Sequence, residues 1–295
     1  MKTMVLATAV LGAALTQAGA GNGAPSPAEW REGPLTPDTV LAARRGDVLS
    51  VETWVGSLTV RVHGDEEVRI SQGEGDGAVR VVRDGVRLRL SGRRPVSSGD
   101  LLVEVPRWMA VEVHSLALEV DIEGVDAPVG VQVLEGDLRF RDLAGGVRAS
   151  TLSGGIQGSA LEGDVVLSTL DGDIRVHGVR GRLSAEGTDG DLELEDVVGG
   201  EVRGVTVDGD VTFRGEIARG GSLMLSTHDG DVEARLPEGA EADVEVSTFD
   251  GGFQADFPVR TRAFQAGRPL RFVLGGGGVR VVLQSFDGDI RLLSW

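Results

Sequence analysis

The stretch that decides the fold is LSTLDGDIRV, residues Leu167–Val176, and copies of it recur along the chain. Its core is a Thr or Ser, any residue, then Asp-Gly-Asp and an apolar residue. The central glycines of the copies are Gly136, Gly154, Gly172, Gly190, Gly209, Gly230, Gly251 and Gly288. Successive steps are 18, 18, 18, 19, 21, 21 and 37 residues, and the last is about two periods. A period near 20 residues is typical of a solenoid, so the sequence predicts a repeat architecture.

Apolar and polar residues alternate on both sides of each Asp-Gly turn. The position directly after the Asp-Gly-Asp unit is apolar in every copy: Leu138, Ile156, Ile174, Leu192, Val211, Val232, Phe253 and Ile290. The next position is mostly polar, as at Arg175 and Glu193. Two positions before the turn stands Thr151, Thr169, Thr206, Thr227, Thr248 or Ser285, with Gly187 as the exception. This period of two predicts β-strands with one buried face.

Two architectures are compatible with this alternation. In an antiparallel meander each Asp-Gly would be a two-residue hairpin turn, whereas in a solenoid equivalent residues lie directly above one another. The persistent Thr position favours the solenoid, because a meander pairs unlike positions. We therefore predict an all-β, right-handed parallel β-solenoid, similar to a single-stranded β-helix, with coils of about 18–21 residues. Eight to ten coils would make a stack roughly 40–50 Å long.

The chain divides into four predicted segments. Residues 1–20 combine Lys2, an apolar run and a small-residue end at Ala18-Gly19-Ala20, which is typical of a signal peptide. Residues 21–47 are rich in Gly, Pro and charge and are interpreted as a linker or leader. Residues 48–100 are expected to form an N-terminal β segment with the first coils, and residues 101–295 the solenoid repeat domain. No integral membrane segment is expected after signal cleavage.

The composition narrows the function classes. The 295 residues carry a formal net charge of −17, and no Cys is present. A negative net charge argues against nucleic acid and against anionic membrane surfaces, because both repel it. Without Cys there are no disulfides, so stability must come from packing and backbone pairing.

The Asp-Gly-Asp units offer the strongest candidate site. Stacked coils would align the first Asp of each unit in one column and the second in another. The first column comprises Asp171, Asp189, Asp208, Asp229, Asp250 and Asp287, and the second Asp173, Asp191, Asp210, Asp231 and Asp289. Stacked carboxylates repel, and Ca²⁺ would relieve the repulsion. The favoured interpretation is that these residues cap their own turns in water, so no metal ligand and no cofactor is assigned.

No catalytic residues are assigned. The four histidines, His63, His114, His177 and His228, are scattered and are expected at the surface. Gly275–Gly278 resembles a phosphate loop only in composition and is interpreted as a flexible corner, because no helix follows it. A polysaccharide-active enzyme on a β-helix is the least favoured class, since spacings of 18 to 21 residues leave little chain for a cleft.

The serial Asp-Gly-Asp coils resemble the bacterial DUF4097 family of β-strand repeat proteins, which is related to the toast-rack and DUF2807 domains. Three further segments carry the resemblance: Val51–Ser57 is similar to its first strand, and Val105–Val113 and Leu236–Val244 to its strand–Pro–turn entries. The likeness extends over residues 48–295. The resemblance implies a β-solenoid that is exported or lies at the envelope, with the label adhesin attached by analogy and no catalytic residues.

These observations together predict a non-catalytic structural, adhesion or interaction module. The expected location is the periplasm, the cell surface or the medium, and the expected partner is a protein or glycan of the cell envelope. The alternatives are a Ca²⁺- or glycan-binding solenoid and a sensor domain for envelope stress.

Overall fold

The computed structural model describes residues 29–31, 39–73, 79–92, 97–258 and 268–295. The predicted signal peptide, residues 1–20, lies outside these ranges. Within them the secondary structure consists of strands, and none of these residues forms a helix that could span a bilayer. The strands are β1 Glu29–Arg31, β2 Thr39–Ala42, β3 Val48–Glu52, β4 Trp54–His63, β5 Glu67–Gln72, β6 Val79–Asp84, β7 Arg87–Gly92, β8 Ser97–Pro106, β9 Ala110–Glu123, β10 Val129–Glu135, β11 Leu138–Leu143, β12 Val147–Ser153, β13 Ile156–Asp171, β14 Ile174–Glu186, β15 Leu192–Val205, β16 Val211–Asp229, β17 Val232–Leu236, β18 Ala242–Asp250, β19 Phe253–Ala255, β20 Leu270–Leu274, β21 Val279–Asp287 and β22 Ile290–Ser294.

Equivalent repeat positions lie directly over one another. Thr151 pairs with Thr169 and Ile156 with Ile174 in parallel register, so like residues are stacked as the sequence predicts. Each coil contributes one strand before the Asp-Gly corner and one strand after it. The predicted parallel β-solenoid is confirmed, and the antiparallel meander is wrong for the repeat region. The right-handed winding stays a prediction.

Eleven parallel coils can be counted within the described residues, slightly more than the eight to ten expected. In spatial order they span residues 87–106, 48–63, 110–123, 129–143, 147–161, 165–179, 183–199, 201–217, 222–236, 279–294 and 242–255. Ten steps between neighbouring strands give a stack about 50 Å long.

The spatial order differs from the chain order at both ends of the stack. Coil 279–294 lies between coils 222–236 and 242–255, because β21 pairs with both β16 and β18. Coil 48–63 likewise lies between coils 87–106 and 110–123, since β4 pairs with both β8 and β9. Stacking in chain order, which is the simplest arrangement of successive repeats, therefore does not hold for the terminal coils. The outermost coil at each end is not the terminal one.

Antiparallel strands cover the ends. At the N-terminal end β6 and β5 pair antiparallel with β7 and β8, and β1 and β2 pair with β6 and β5 in turn. Strands β1 and β2 lie within residues 21–47, where the sequence indicates a linker. At the C-terminal end β20 pairs antiparallel with β18. Such strands protect the open edges of a sheet from pairing with other chains.

The core is a continuous apolar column between the two strands of each coil. Ile156, Ile174 and Leu192 are almost fully buried, as the alternation predicts. Phe253 was expected inside as well, but it is only half-buried. Its strand β19 belongs to the outermost coil and pairs with β22 on one side, so a covering coil is missing among the described residues.

Candidate interaction surface

The glycine of each Asp-Gly-Asp corner is required by the close approach of the neighbouring coil. Gly172 has a φ of +143°, a backbone conformation that side chains disfavour. A Cβ on this residue would lie 2.4 Å from the carbonyl oxygen of Gly154 in the adjacent coil. The same clash would occur at Gly190 and Gly209. The corners therefore stack as closely as the backbone permits.

The Thr positions hold neighbouring corners together. Thr169 is buried, and its hydroxyl donates a hydrogen bond to the carbonyl oxygen of Gly154 at 3.1 Å. Thr227 donates in the same way to Gly209 at 2.9 Å. Because a buried hydroxyl needs a partner, this bond explains why a polar residue recurs at an inward position. Gly187 lacks the hydroxyl, so the carbonyl of Gly172 misses this contact.

The second Asp column is part of the scaffold. The Oδ1 atom of Asp173 accepts a hydrogen bond from the backbone N–H of Asp191 at 2.9 Å, and Asp191 accepts one from Asp210 at 2.9 Å. The series continues through Asp231, Asp289 and Gly252. These carboxylates thus bond to the next coil, which differs from the capping of their own turns that the sequence suggested. Across the described ranges, no cluster of three or more His, Asp or Glu side chains is arranged to hold a metal ion.

The first Asp column is aligned but makes no such bonds. Asp171, Asp189, Asp208 and Asp229 are joined by parallel bridges through their backbones. The column then continues to Asp287 and only afterwards to Asp250, which corrects the order expected from the sequence. All six side chains are exposed. In the described part of the chain, none of the six carboxylates has a hydrogen bond or an ion pair.

The histidines have separate surroundings. The side chain of His63 is only 10% exposed, and its Nε2 lies 2.8 Å from the carbonyl oxygen of Glu67, so it is less exposed than the sequence predicts. His177 is exposed, and its Nε2 lies 3.3 Å from a carboxylate oxygen of Asp196. His228 is exposed and stacks on Phe286 with ring centroids 4.6 Å apart. Among the described residues, no two histidines come together as a ligand pair.

An exposed row of mostly apolar side chains runs along the corner, at the position between the Thr and the first Asp. We call it the apolar ridge. It comprises, in spatial order, Leu116, Leu134, Leu152, Leu170, Thr188, Val207, His228, Phe286 and Phe249. Leu116 is 65% exposed and Phe249 63% exposed. Eight steps between coils make the ridge about 40 Å long.

Sequence reasoning missed the ridge because its position was treated as variable. The signal was present: Leu134, Leu152 and Leu170 are 18 residues apart, and Phe249 and Phe286 occupy the equivalent place in later copies. A row of exposed apolar side chains of this length is a mark of an interaction site. The ridge is therefore the candidate functional surface.

One row of the face before the corner differs in charge from the face after the corner. On the strands before the corner, the outward row next to the ridge is largely uncharged: His114, Gln132, Ser150, Ser168, Glu186, Val205, Ser226, Gln284 and Ser247. On the strands after the corner, outward Arg and acidic side chains form ion pairs. Arg175 lies 2.8 Å from Asp173 and 3.4 Å from Glu193. Charges on this second face are thus largely neutralised within the protein.

Comparison with known proteins gives one family match and two structural neighbours. A family model described as Toastrack DUF4097 matches residues 123–293. A proposed cell adhesion protein from Clostridium sporogenes ATCC 15579 aligns over 88% of this chain and 99% of its own, at 9% identity and a TM-score of 0.24. A proposed adhesin from Bacteroides fragilis NCTC 9343 aligns over 86% and 95%, at 12% identity and a TM-score of 0.41. No curated protein matches the sequence. At these TM-scores neither likeness carries a functional argument.

Proposed function

This chain belongs to the Toastrack DUF4097 family, and we propose that it is a non-catalytic interaction module that adheres to a component of the bacterial envelope. The single observation that carries this proposal is the apolar ridge. Seven of its nine side chains are large hydrophobic residues with 44% to 65% of their surface exposed. Water makes an uncovered row of this kind unfavourable, so a partner that covers it gains free energy.

The rigid backbone beneath the ridge suits binding. In seven of the nine coils the ridge residue stands between a corner glycine and a buried Thr or Ser, or Gly187 in one coil. Leu134 instead follows the buried Val133, and Leu116 lies between Ser115 and Leu118. The backbone that carries these side chains is therefore ordered before a partner arrives, which lowers the entropy cost of association. The composition of residues 1–20 supports export, and the envelope is the proposed destination.

The proposal is tested by measuring how much fluorescently labelled mature chain binds to an envelope fraction of the bacterium that encodes it. Replacing Leu134, Leu152 and Leu170 together with Ser should reduce binding by about tenfold, since three exposed apolar contacts are lost. The matched control replaces three exposed valines away from the ridge, Val86, Val198 and Val273, with Ser. Equal binding by the ridge variant and the control would reject the ridge as the binding surface.

A further inference from the structure

The ridge is not uniform along its length. In its second half each ridge residue is followed in the chain by an exposed Asp of the first Asp column. The pairs are Val207 with Asp208, His228 with Asp229, Phe286 with Asp287, and Phe249 with Asp250. In the first half the corresponding followers are Ala117, Glu135, Ser153 and Asp171, and Thr188 between the two halves is followed by Asp189. The second half, which we call the acidic half of the ridge, therefore joins an apolar row to an unbroken row of carboxylates.

The carboxylates of this row are available to a partner. The second Asp column accepts backbone hydrogen bonds, and Asp173 and Asp231 also pair with Arg175 and Arg291 at 2.8 and 3.1 Å. Among the described residues no such contact reaches Asp208, Asp229, Asp250 or Asp287. Four like charges held about 4.8 Å apart repel one another, and a cationic partner would remove that repulsion.

The ring stack gives the acidic half a defined apolar surface. Phe286 lies between His228 and Phe249, with centroid distances of 4.6 and 4.9 Å and interplanar angles of 18° and 4°. The rings are parallel, so their edges form a continuous strip beside the carboxylates. Arg and Lys side chains bring an apolar stem together with a cationic end, and such a side chain can contact both rows at once.

From these observations we propose that the acidic half of the ridge binds a cationic, amphipathic polypeptide segment, with its apolar side chains on the ring stack and its Lys or Arg side chains on the first Asp column. This inference rests on the proposed function, because it names the partner's chemistry for part of the same surface. Anionic lipids and nucleic acids carry the same sign as this row and are disfavoured.

The spacing of the rows fits a helical segment. An α-helix rises about 5.4 Å per turn, and the coils are about 4.8 Å apart, so the mismatch is about 0.6 Å per turn. Over the three steps from Val207 to Phe249 the mismatch grows to about 1.8 Å, less than half of one step. A helix of roughly four turns can therefore place one apolar side chain per coil along the acidic half.

The experiment measures the dissociation constant of a fluorescent 14-residue peptide, made of Leu and Lys with an amphipathic helical pattern, for the mature chain. A Leu and Glu peptide of the same pattern is the first control. Expected is saturable binding of the Lys peptide only, several-fold weaker at 0.3 M than at 0.05 M NaCl, because salt screens exposed charges. Binding of both peptides alike, or of neither, would overturn the inference.

The protein variants locate the site. Asp208→Asn, Asp229→Asn, Asp250→Asn and Asp287→Asn together should weaken binding of the Lys peptide by about tenfold. The matched control removes four exposed carboxylates at the opposite corner of the coils, through Glu162→Gln, Asp164→Asn, Glu201→Gln and Glu216→Gln. It should leave the affinity within about twofold. An equal loss of peptide affinity in the two variants would mean that the peptide is attracted by the net negative charge of the protein and not by this site, and it would overturn the inference.

The two proposals fail differently. If the Asn variant still binds the envelope fraction fully while the Leu134, Leu152 and Leu170 variant does not, the adhesion function stands and the cationic partner is wrong. The polypeptide partner would likewise be wrong if the chain bound phosphatidylcholine vesicles more tightly than the Lys peptide, and if the Lys peptide did not displace the vesicles. Circular dichroism melts establish that each variant is folded before its affinity is compared.

Discussion

The ring of Phe286 lies flat on the ring of Phe249, with centroids 4.9 Å apart and planes within 4° of each other. The two residues are 37 positions apart in the chain. They meet because coil 279–294 is the direct neighbour of coil 242–255 in the stack, with β21 paired to β18. The stack therefore marks the place where the spatial order departs from the chain order.

The inserted position of the last coil predicts the effect of removing it. A chain that ends at Gly278 lacks β21 and β22, the parallel partners that join β18 and β19 to the stack, and keeps only β20 beside β18. We therefore expect residues 242–255 to lose much of their protection from amide hydrogen exchange. Hydrogen–deuterium exchange with mass spectrometry measures this directly. Residues 147–199, several coils away, serve as the internal control. Unchanged protection of residues 242–255 would contradict the observed order.

The corner glycines predict a steric effect that depends on position. Gly172→Ala should lower the free energy of unfolding by about 3 kcal/mol, because its Cβ would lie 2.4 Å from the Gly154 carbonyl oxygen. Gly178→Ala is the control, since Gly178 also has a positive φ of 74° but a Cβ on it would lie 3.6 Å from the nearest heavy atom, the backbone nitrogen of Ala160. It should cost about 1 kcal/mol. Urea unfolding compares the two, and equal losses would exclude the steric explanation.

The buried hydroxyls predict a hydrogen-bond effect. Thr169→Val keeps the side-chain shape but removes the donor to the Gly154 carbonyl oxygen, so the free energy of unfolding should fall by about 1–2 kcal/mol. Ser168→Val changes the neighbouring, half-buried side chain that faces outward and should cost less than about 0.5 kcal/mol. Thermal unfolding of both variants measures the difference. A larger loss for Ser168→Val would reverse the inward and outward assignment.

The core column predicts a strong effect of charge. Ile174→Asp places an unpaired carboxylate in a fully buried column and should cost about 5 kcal/mol or more, enough to prevent folding. Arg175→Gln affects an exposed side chain whose ion pairs are screened by water, and it should stay within about 1 kcal/mol. Circular dichroism and gel filtration distinguish the outcomes. Comparable melting temperatures would refute the packing described for coil 165–179.

Acid titration tests the Arg107–Asp126 pair. Hydrogen bonds from the Arg107 guanidinium lower the pKa of the Asp126 carboxyl from its usual value of 3.8. A lowered folded pKa gives stability above the unfolded pKa, and that stability is lost as the pH falls through the folded pKa. The stability difference between wild type and Asp126→Asn should therefore be constant above about pH 5 and shrink below about pH 4. If the stability difference between wild type and Asp126→Asn grew as the pH fell, the lowered pKa of Asp126 and its pairing with Arg107 would be contradicted.

Much of the repeat geometry could be predicted from the sequence, because in-register stacking places like on like. Thr169 and Asp171 carried enough information to fix the parallel register. The order of the last two coils could not be predicted, since Asp250 and Asp287 sit in nearly identical repeats and either could follow Asp229. The step of 37 residues from Gly251 to Gly288 is compatible with one repeat that lacks the motif. It is equally compatible with a last coil that lies between two earlier coils.

The first coils and the candidate surface were harder to predict for different reasons. Coils 48–63 and 87–106 lack the Asp-Gly-Asp unit, so no repeated mark revealed their register. At the ridge, Leu152 and Leu170 lie between polar neighbours, where alternation gives only the direction of a side chain. Whether outward apolar residues form a contiguous surface depends on how many neighbouring coils carry one, and the structure shows this number where the sequence does not.

Coils 48–63 and 279–294 each lie between two other coils. This arrangement limits how a solenoid of this kind can gain or lose repeats in evolution. A repeat added next to coil 48–63 or coil 279–294 in the chain would find the positions on both sides of that coil already closed by other coils. A duplication of one 18-residue unit between residues 129 and 199, by contrast, leaves both closures intact. Longer and shorter relatives should therefore differ in the middle of the stack, while the two closures stay the same.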